Sequence, residues 1–475
     1  MKRLHPARKF LAILLSLTIL FPVFSLSAFA QDAAPKSGAD YPAVFVHGFS
    51  GWGDEDLLSC LLPMWGGING DMTRYLQCLG YDTFSASIGP ISSVHDRCCE
   101  LFAQLIGSRV DYGQAHADKC TAEYASLGYS LTHSRYGRDY TGHPGVENWG
   151  PIYDAGGKVT GWYDNKINLV GHSLGAPTAL ELIRLLADGD AEEQAWGKAQ
   201  AVKFGGDWHD YISPLFWGDY NGEYLIHSVT SLAGVLNGIT FTAANEDFTD
   251  FLGKAFLMVA NTVGLTDLGA FYDIQLEQFG LTKIPGSDVY AKFSFLNQQG
   301  FLAGSDHAFH DLTIDGINAF KQGWKTYDNI YYFSHPCNSS HKFSSDLYIP
   351  NKILSSVLLP FSVSMGSYLN PSEQVIGVDG TPYTSVDRAW LPNDGLANTI
   401  STRYPFGAPH QSYDPQAIVP GIWYVYPDLN QQHLEIIGVT TYEPIMVRRF
   451  YSHLMEDLCK TTPIQNASAS MSLAI

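Results

Sequence analysis

The sequence predicts an α/β fold in which a mainly parallel sheet carries helices on both faces. Two observations point to this class. A predicted strand (41–46), helix (66–79) and strand (81–87) follow one another in the first part of the chain, and such alternation is typical of proteins with parallel sheets. A buried apolar run, residues 167–170, leads into the glycine-rich turn 171–175, and helical character follows from Ala176. Functional side chains are therefore expected on loops at the carboxyl ends of strands.

Residues 1–30 have the features of a secretory signal peptide. Four cations precede the apolar run 10–24, and Ala28-Phe29-Ala30 has the small-residue pattern of a cleavage site. The alternative is a membrane anchor, but this run is short for a helix that spans a bilayer. We therefore expect a secreted protein without a transmembrane anchor, with one domain over residues 31–460 and a C-terminal tail over residues 461–475.

Composition limits the partners of the chain. Its formal net charge is −19, and a protein this acidic repels nucleic acid and anionic membrane surfaces, so neither is expected as a partner.

Secretion permits disulfides, but the seven cysteines are an odd number, so at least one is unpaired. Five of the seven lie in the first third of the chain, where any bridges are expected.

The turn Gly171-His172-Ser173-Leu174-Gly175 has the G-x-S-x-G pattern of a nucleophile elbow. In that motif, a serine on a strained strand-to-helix turn holds its hydroxyl clear of the backbone. The pattern alone also fits a glycine-rich turn with an idle serine. The apolar strand before the turn and the helix after it favour the elbow, with Ser173 as the nucleophile.

A serine nucleophile also needs N–H groups that stabilise the oxyanion formed by its attack. Residues 41–46 form a predicted strand, and His47-Gly48-Phe49 follow it. A strand followed by His-Gly resembles the first oxyanion loop of an α/β-hydrolase. The alternative is an ordinary turn at the end of a strand. In the hydrolase interpretation, the two donors are the backbone N–H groups of Phe49 and Leu174.

The remaining members of a triad should follow the serine, first an acid and then a histidine. Asp394 lies in an Asn-Asp-Gly stretch that favours a turn. His433 lies just before the apolar run 436–439. This is where the fold requires its catalytic histidine, on a loop next to a regular element. Each residue alone also fits a surface turn or a solvated histidine, so the prediction depends on their order and context.

Residues 247–263 form a strongly periodic predicted helix. Its apolar residues recur at i, i+3, i+4 and i+7, and Gly264 fits the position just after a helix end. A helix of the core is the simpler interpretation of this pattern.

The chain resembles the bacterial true lipases of family I.5, the secreted thermoalkalophilic lipases related to staphylococcal lipases. The matching stretches follow one another in the family's order through nearly the whole mature chain. They are VHGFSGWG (46–53), WGGINGDM (65–72), IGPISSVHDRCCE (88–100), VDYGQAHA (110–117), HSRYGRDY (133–140), GHSLG (171–175), SPLFWG (213–218), EDFTDF (246–251), DRAWLPNDGLANT (387–399) and HLEIIGV (433–439).

The resemblance implies an α/β-hydrolase fold with a helical lid near residues 247–263 and a zinc-binding insertion. The family's triad falls on Ser173, Asp394 and His433. Its oxyanion donors fall on Phe49 and Leu174. The second donor position is commonly glutamine in that family, but the donor is a backbone N–H, so leucine is compatible with the role.

The resemblance also implies a bound zinc ion. Two imidazoles and two carboxylates suit a closed tetrahedral zinc site, and the family's ligands fall on Asp96, His116, His133 and Asp306. The spacing of these residues matches no short metal motif. Residues 118–132 lengthen the segment between the histidines relative to the family, which either leaves the site intact behind a longer loop or breaks it.

The family's calcium site departs more strongly from the pattern. Glu435 matches one ligand, but Thr440 stands where the family has an aspartate. Loss of an anionic oxygen weakens the binding of a hard divalent cation, so calcium is not carried over to this chain.

The resemblance therefore implies a secreted triacylglycerol lipase that hydrolyses carboxylic esters at a lipid–water interface through an acyl-serine intermediate. Two alternatives stay open. One is a short-chain carboxylesterase or an acyltransferase on the same scaffold, and the other is a catalytically inactive hydrolase-like binding protein. Neither the oligomeric state nor the preferred chain length of the substrate follows from the sequence.

Overall fold

Seven parallel strands form the central sheet in the computed structural model, which describes residues 37–241, 273–281, 295–352 and 358–464. Every neighbouring pair of strands in this sheet is parallel. The predicted α/β fold is therefore confirmed. Across the sheet, the strands lie in the order β14 (His410–Ser412), β15 (Trp423–Val425), β9 (Tyr331–His335), β8 (Ile226–Leu232), β7 (Ile167–His172), β1 (Ala43–Val46) and β2 (Thr83–Ser85).

Several helices begin where a side chain satisfies one of their first N–H groups. Asp71, Ser93, Asp190 and Thr313 each accept such a bond at a helix start, which substitutes for the missing intrahelical partner. The α-helices that lie wholly within the described ranges are α1 (Met72–Cys78), α2 (Val94–Ile106), α3 (Gln114–Ser126), α4 (Gly175–Asp188), α5 (Ala191–Phe204), α6 (Ala308–Asp311), α7 (Ile314–Lys321), α8 (Leu359–Met365) and α9 (Pro444–Cys459).

The core lies between the inner strands and these helices. Every residue of β1, β7 and β8 is buried, as expected for parallel strands covered by helices. Helix α4 packs on β1, β7 and β8, and it also contacts α2. The ring of Phe45 in β1 packs against Trp65 and against Tyr451 of α9, so the C-terminal helix closes over the same strand.

Among the described residues, four antiparallel pairs of strands lie outside the central sheet. The first pair encloses α3, so the long segment between the two predicted histidine ligands is flanked by paired strands. The pairs are β3 (Arg109–Asp111) with β4 (Tyr136–Asp139), β5 (Pro151–Tyr153) with β6 (Val159–Trp162), β10 (Ser340–Ser344) with β11 (Leu347–Pro350), and β12 (Asn370–Ile376) with β13 (Pro382–Val386).

The predicted helix over residues 66–79 is wrong in its first half. Gly66, Gly67 and Gly70 have positive φ angles, which an α-helix does not contain, and α1 begins only at Met72. The predicted strands 41–46 and 81–87 are shorter in the structure, which has them as β1 and β2.

All seven cysteines lie in the described ranges, and each has a free thiol.

Several predictions concern residues outside the described ranges. The proposed signal peptide at residues 1–30 and the lid helix at 247–263 are among them, and only residues 461–464 of the tail are described. Every described residue belongs to one compact unit, Lys36–Ile475. Within the described ranges, no helix has the length and apolar composition needed to cross a membrane.

Helix α4 starts in direct contact with the backbone of β1. A Cβ atom added to Gly175 would lie 2.0 Å from the carbonyl oxygen of Val46, and one added to Gly171 would lie 2.6 Å from the amide nitrogen of Ala176. Both atoms belong to the backbone and cannot rotate away. Glycine is therefore required at both ends of the turn by close approach.

The contact between Gly175 and Val46 predicts the effect of one added methyl group. We expect Gly175→Ala to destabilise the fold by about 1–3 kcal/mol or more, because the new atom overlaps a backbone carbonyl in a packed core. Thermal unfolding should show a lower Tm than that of the wild type. Gly161→Ala is the control, since its added Cβ meets only Ile152, at 3.9 Å. Equal melting temperatures for the two variants would contradict the contact.

Candidate active site and metal centre

Ser173 lies at the carboxyl end of β7, in a strained turn. Its φ angle is 55°, a value that residues other than glycine rarely adopt. The N–H of Ser173 donates to Leu232 of β8, and its carbonyl oxygen accepts from Val235, so both neighbouring segments hold the turn. Helix α4 begins two residues later. Its N-terminal N–H groups face the turn and favour negative charge there.

His433 and Asp394 form a buried hydrogen-bonded pair. Nδ1 of His433 lies 2.8 Å from Asp394 Oδ2, and the N–H of His433 donates to the carbonyl oxygen of Asp394. The other carboxylate oxygen accepts from the N–H groups of Leu396 and Ala397, at 3.0 and 2.7 Å. The carboxylate therefore has a fixed orientation. With its proton on Nδ1, the ring of His433 keeps the Nε2 lone pair for accepting a proton.

His172 connects this pair to the turn at Ser173. Its Nε2 lies 2.9 Å from the carbonyl oxygen of His433, and the two rings are 4.7 Å apart. Because a carbonyl oxygen only accepts, Nε2 of His172 carries the proton of this bond. Burial, with His433 nearby, holds the pKa of His172 well below its usual range, so the ring stays neutral. The sequence motif does not indicate a role for His172, because its position in the motif accepts any residue.

The loop after β1 touches Ser173 directly. A Cβ added to Gly48 would lie 2.5 Å from Cβ of Ser173, so the backbone next to Phe49 passes against the serine. The N–H of Leu174 donates to no acceptor within the part of the chain that the structure describes. The backbone positions of both predicted oxyanion donors therefore lie next to Ser173.

Arg97 holds the loop that carries Phe49. This side chain is completely buried in α2, and its guanidinium donates to the carbonyl oxygens of His47 and Gly89 and to the hydroxyl of Thr178 in α4. Planar guanidinium groups suit such multiple bonds. The arginine thus joins the loop after β1 to two helices. A sequence motif could not reveal this role, because the three acceptors lie far apart in the chain.

The four predicted zinc ligands also come together. Asp96 lies in the first turn of α2, His116 in the first turn of α3, and Asp306 two residues before α6. His133 lies in the loop before β4. One ligand atom from each residue can be chosen so that all four lie within 4.8 Å of one another.

The geometry of this cluster suits a metal ion. Nε2 of His116 lies 3.3 Å from Asp96 and 3.5 Å from Asp306, while Nε2 of His133 lies 3.2 and 3.5 Å from the same carboxylates. Asp96 Oδ1 and Asp306 Oδ2 are buried and have no hydrogen-bond partner within the described ranges. Buried polar atoms of native proteins are normally satisfied, so these orphaned oxygens fit a cation between them.

The electrostatics of the metal-free cluster agree with this fit. Burial disfavours a charged ring at His116, but Asp306 and Asp96 outweigh it and raise the pKa of His116 well above its usual range. The two carboxylates therefore favour a positive charge at this place. An imidazole binds a metal ion only in its neutral form, so an ion at this place competes with a proton on His116.

The lengthened segment 118–132 does not separate the ligands. Residues up to Ser126 continue helix α3, and the chain then returns so that the N–H of His133 donates to Thr121 Oγ1 at 2.9 Å. Gln278 supports the cluster from outside, since its amide donates to Asp96 Oδ2 at 2.8 Å. Sequence analysis missed Gln278, because it lies far from all four ligands in the chain.

The residue that matches the family's calcium ligand has other partners here. Glu435 lies 3.2 Å from the ammonium group of Lys352, and it accepts a hydrogen bond from the N–H of Gln432 at 2.8 Å. Lys352 thus places a positive charge beside Glu435. Thr440 offers no anionic oxygen.

Comparisons with known proteins agree with this architecture. A family model described as "Lipase-like, C-terminal domain" matches residues 39–469. Lipase 1 of Staphylococcus aureus strain Mu50 is 30% identical over 435 residues, which cover 89% of this chain and 55% of that protein. The chain therefore spans about half the length of the curated relatives it matches.

Two solved structures are similar over most of the chain. EstA from Clostridium botulinum has a TM-score of 0.72 at 27% identity and covers 94% of both chains. Lipase 1 from Pelosinus fermentans has a TM-score of 0.69 at 30% identity, covering 89% of this chain and 100% of that one.

The buried bonds of Arg97 predict a large loss of stability on truncation. We expect Arg97→Met to reduce the free energy of unfolding by about 3–5 kcal/mol, because it removes a hydrogen-bonded charge from the core and leaves two carbonyl oxygens without this donor. Denaturant titration measures the change. Arg74→Met is the control, since Arg74 is exposed and pairs with Asp71 at the surface, where such pairs contribute about 1 kcal/mol or less. Similar losses in both variants would contradict the role of Arg97.

Proposed function

The chain belongs to the family of lipase-like C-terminal domains, and from that premise we propose that it is a secreted triacylglycerol lipase. The observation that carries the proposal is the hydrogen-bonded pair of His433 and Asp394 beside the strained turn of Ser173. A serine, a histidine and an acid in this chain order fit acyl transfer to a hydroxyl.

The proposed reaction begins with attack of Ser173 Oγ on the carbonyl carbon of an ester. Nε2 of His433 takes the hydroxyl proton and then gives it to the departing alcohol, so that the serine is left acylated. Asp394 keeps the proton on Nδ1 and stabilises the imidazolium that forms. Water then repeats the sequence, with His433 again as the base, and releases the fatty acid.

The backbone N–H groups of Phe49 and Leu174 would stabilise the tetrahedral oxyanion. Support comes from the contact of Gly48 with Ser173 and from the position of Leu174 at the start of α4. Preorganised donors of this kind cost no reorganisation when negative charge develops. Arg97 would act as a positioning residue, because it holds the loop that carries the first donor.

We further propose that the cluster of Asp96, His116, His133 and Asp306 holds a structural zinc ion. Its donor set of two imidazoles and two carboxylates, together with the two orphaned oxygens, supports this assignment. When bound, the ion would supply a fixed positive charge that joins α2, α3 and the loop before α6. The catalytic residues need no contact with it.

Two features of the proposal depend on sequence alone. Residues 1–30 would direct secretion and be removed. The periodic segment 247–263 would be the lid, with its apolar face turned to lipid when open.

The second candidate function is hydrolysis of short-chain soluble esters, which the same site geometry permits. A similar structure carries the name EstA, which gives this candidate its support. Activity measured on esters of increasing acyl length, both dissolved and emulsified, separates the two. A lipase is expected to prefer emulsified long-chain esters, whereas an esterase loses activity as the chain lengthens.

The proposed nucleophile predicts the effect of removing one oxygen atom. We expect Ser173→Ala to lower kcat for ester hydrolysis by about a thousandfold or more while the fold stays intact, because the members of a triad act as a unit. Ser345→Ala, at an exposed serine, should retain wild-type activity. Hydrolysis by folded Ser173→Ala at the wild-type rate would rule out the nucleophile, and inactivity of the wild type on every ester would favour a binding protein.

The proposed zinc site predicts a metal-dependent gain in stability. A ligand that binds only the folded state stabilises it, by about 3 kcal/mol when the free ion is at about a hundred times Kd. Elemental analysis of the proteins as purified, without added metal, should find zinc in the wild type but not in His133→Ala. After removal of metal, added zinc should raise the Tm of the wild type but not that of His133→Ala. His143→Ala, at an exposed histidine, is the matched control. A wild type that contains no zinc and does not respond to it would contradict the site.

A further inference from the structure

Cys120 lies beside the cluster of two aspartates and two histidines. It occupies the position one helical turn after His116 in α3, so both side chains lie on the same face of the helix. Its Sγ atom lies 3.5 Å from Nε2 of His116, the nitrogen that faces the two carboxylates. Cys120 belongs to the lengthened segment and has no counterpart among the four ligands implied by the resemblance.

The distance between these two atoms is that of two ligands on one ion. Zinc binds imidazole nitrogen at about 2.1 Å and thiolate sulfur at about 2.3 Å, so tetrahedral ligands of these types lie about 3.5 Å apart. The nitrogen and oxygen atoms of the cluster are 3.2 to 3.5 Å apart, in the same range. The tightly grouped set of four does not include Cys120, so coordination by its thiol requires the side chain to move toward the ion.

Independent features show that this place is built for a ligand. Asp96 Oδ1 and Asp306 Oδ2 are buried and lack hydrogen-bond partners within the described ranges. A cavity of about 430 Å³ reaches the cluster, and Cys120, His116 and Asp306 lie in its wall. An ion can therefore enter from the side on which the thiol lies.

We propose that Cys120 is a further ligand of the metal ion in this cluster, either added to the four residues or exchanged for one carboxylate. The inference rests on the proposed metal site but not on the proposed hydrolysis. The two carboxylates are hard ligands and the two imidazoles are borderline ones, whereas thiolate is soft. A thiolate ligand therefore shifts the preference of the site toward divalent ions that bind sulfur well, such as Zn²⁺ and Cd²⁺.

Binding of the thiol releases a proton. Only the thiolate form of cysteine binds a metal ion, so the thiol has to lose its proton on binding. A coordinated thiol is deprotonated by the ion. The sulfur–hydrogen bond breaks, a sulfur–metal bond forms, and the proton passes to water in the cavity, without oxidation or reduction.

Cobalt substitution tests the proposal without any measurement of activity. The full-length metal-free protein is loaded with one equivalent of Co²⁺ and its absorption spectrum is recorded. A thiolate ligand adds a charge-transfer band in the near ultraviolet to the ligand-field bands in the visible range. We expect this band in the wild type and its loss in Cys120→Ser, which should keep the bound cobalt. A variant with the exposed Cys60, Cys78 and Cys459 changed to serine is the control and should retain the band.

A second measurement does not depend on a variant that folds. X-ray absorption of the zinc-loaded wild type should detect a sulfur neighbour at about 2.3 Å beside nitrogen and oxygen at about 2.0–2.1 Å. Cadmium titration should give a Kd more than about a hundredfold weaker for Cys120→Ser, because a loss of about ten- to a hundredfold is what removal of an outer-shell partner of a ligand gives.

The outcomes separate the two levels of the proposal. One bound cobalt without the charge-transfer band, or zinc with only nitrogen and oxygen neighbours, overturns the role of Cys120 and leaves the four-residue site standing. No bound metal overturns both. A band that persists in Cys120→Ser assigns the sulfur to another cysteine and also overturns the proposal.

Discussion

The close approach of three backbone segments around Ser173 is the constraint on which the site depends. Strand β1, the loop after it and the start of α4 lie so near one another that Gly48, Gly171 and Gly175 have no room for a side chain. This crowding forces Ser173 into a positive φ angle. It also keeps the neighbouring N–H groups close to the serine, so the strain and the proposed oxyanion site have one cause.

Helix α2 links this turn to the proposed metal site. Asp96 belongs to the cluster of two aspartates and two histidines, while the next residue, Arg97, donates to the loop that carries Phe49. Both side chains are fully buried, so neither can move without disturbing the packing around the helix. An ion that fixes α2 would therefore also stabilise the loop beside Ser173, although the two sites share no ligand.

The sequence predicted the parts that depend on local pattern. The strand, turn and helix around Ser173 follow from periodicity and glycine placement, and the alternation of elements was enough to predict the parallel sheet. The start of α1 could not be predicted, because an apolar pattern does not reveal the positive φ angles of Gly66, Gly67 and Gly70. The four metal residues were identified only by resemblance. Arg97, His172 and Gln278 were missed, since tertiary packing alone brings their partners to them.

The central claim is that Ser173 is activated by His433 and accepts an acyl group. Its most direct test is covalent labelling with an alkyl organophosphonate, followed by mass spectrometry of the peptides. We expect one adduct per chain, on Ser173, and a strongly reduced labelling rate in His433→Ala. A folded wild type that is not labelled would contradict the account. So would labelling of another residue in Ser173→Ala at the rate seen in the wild type.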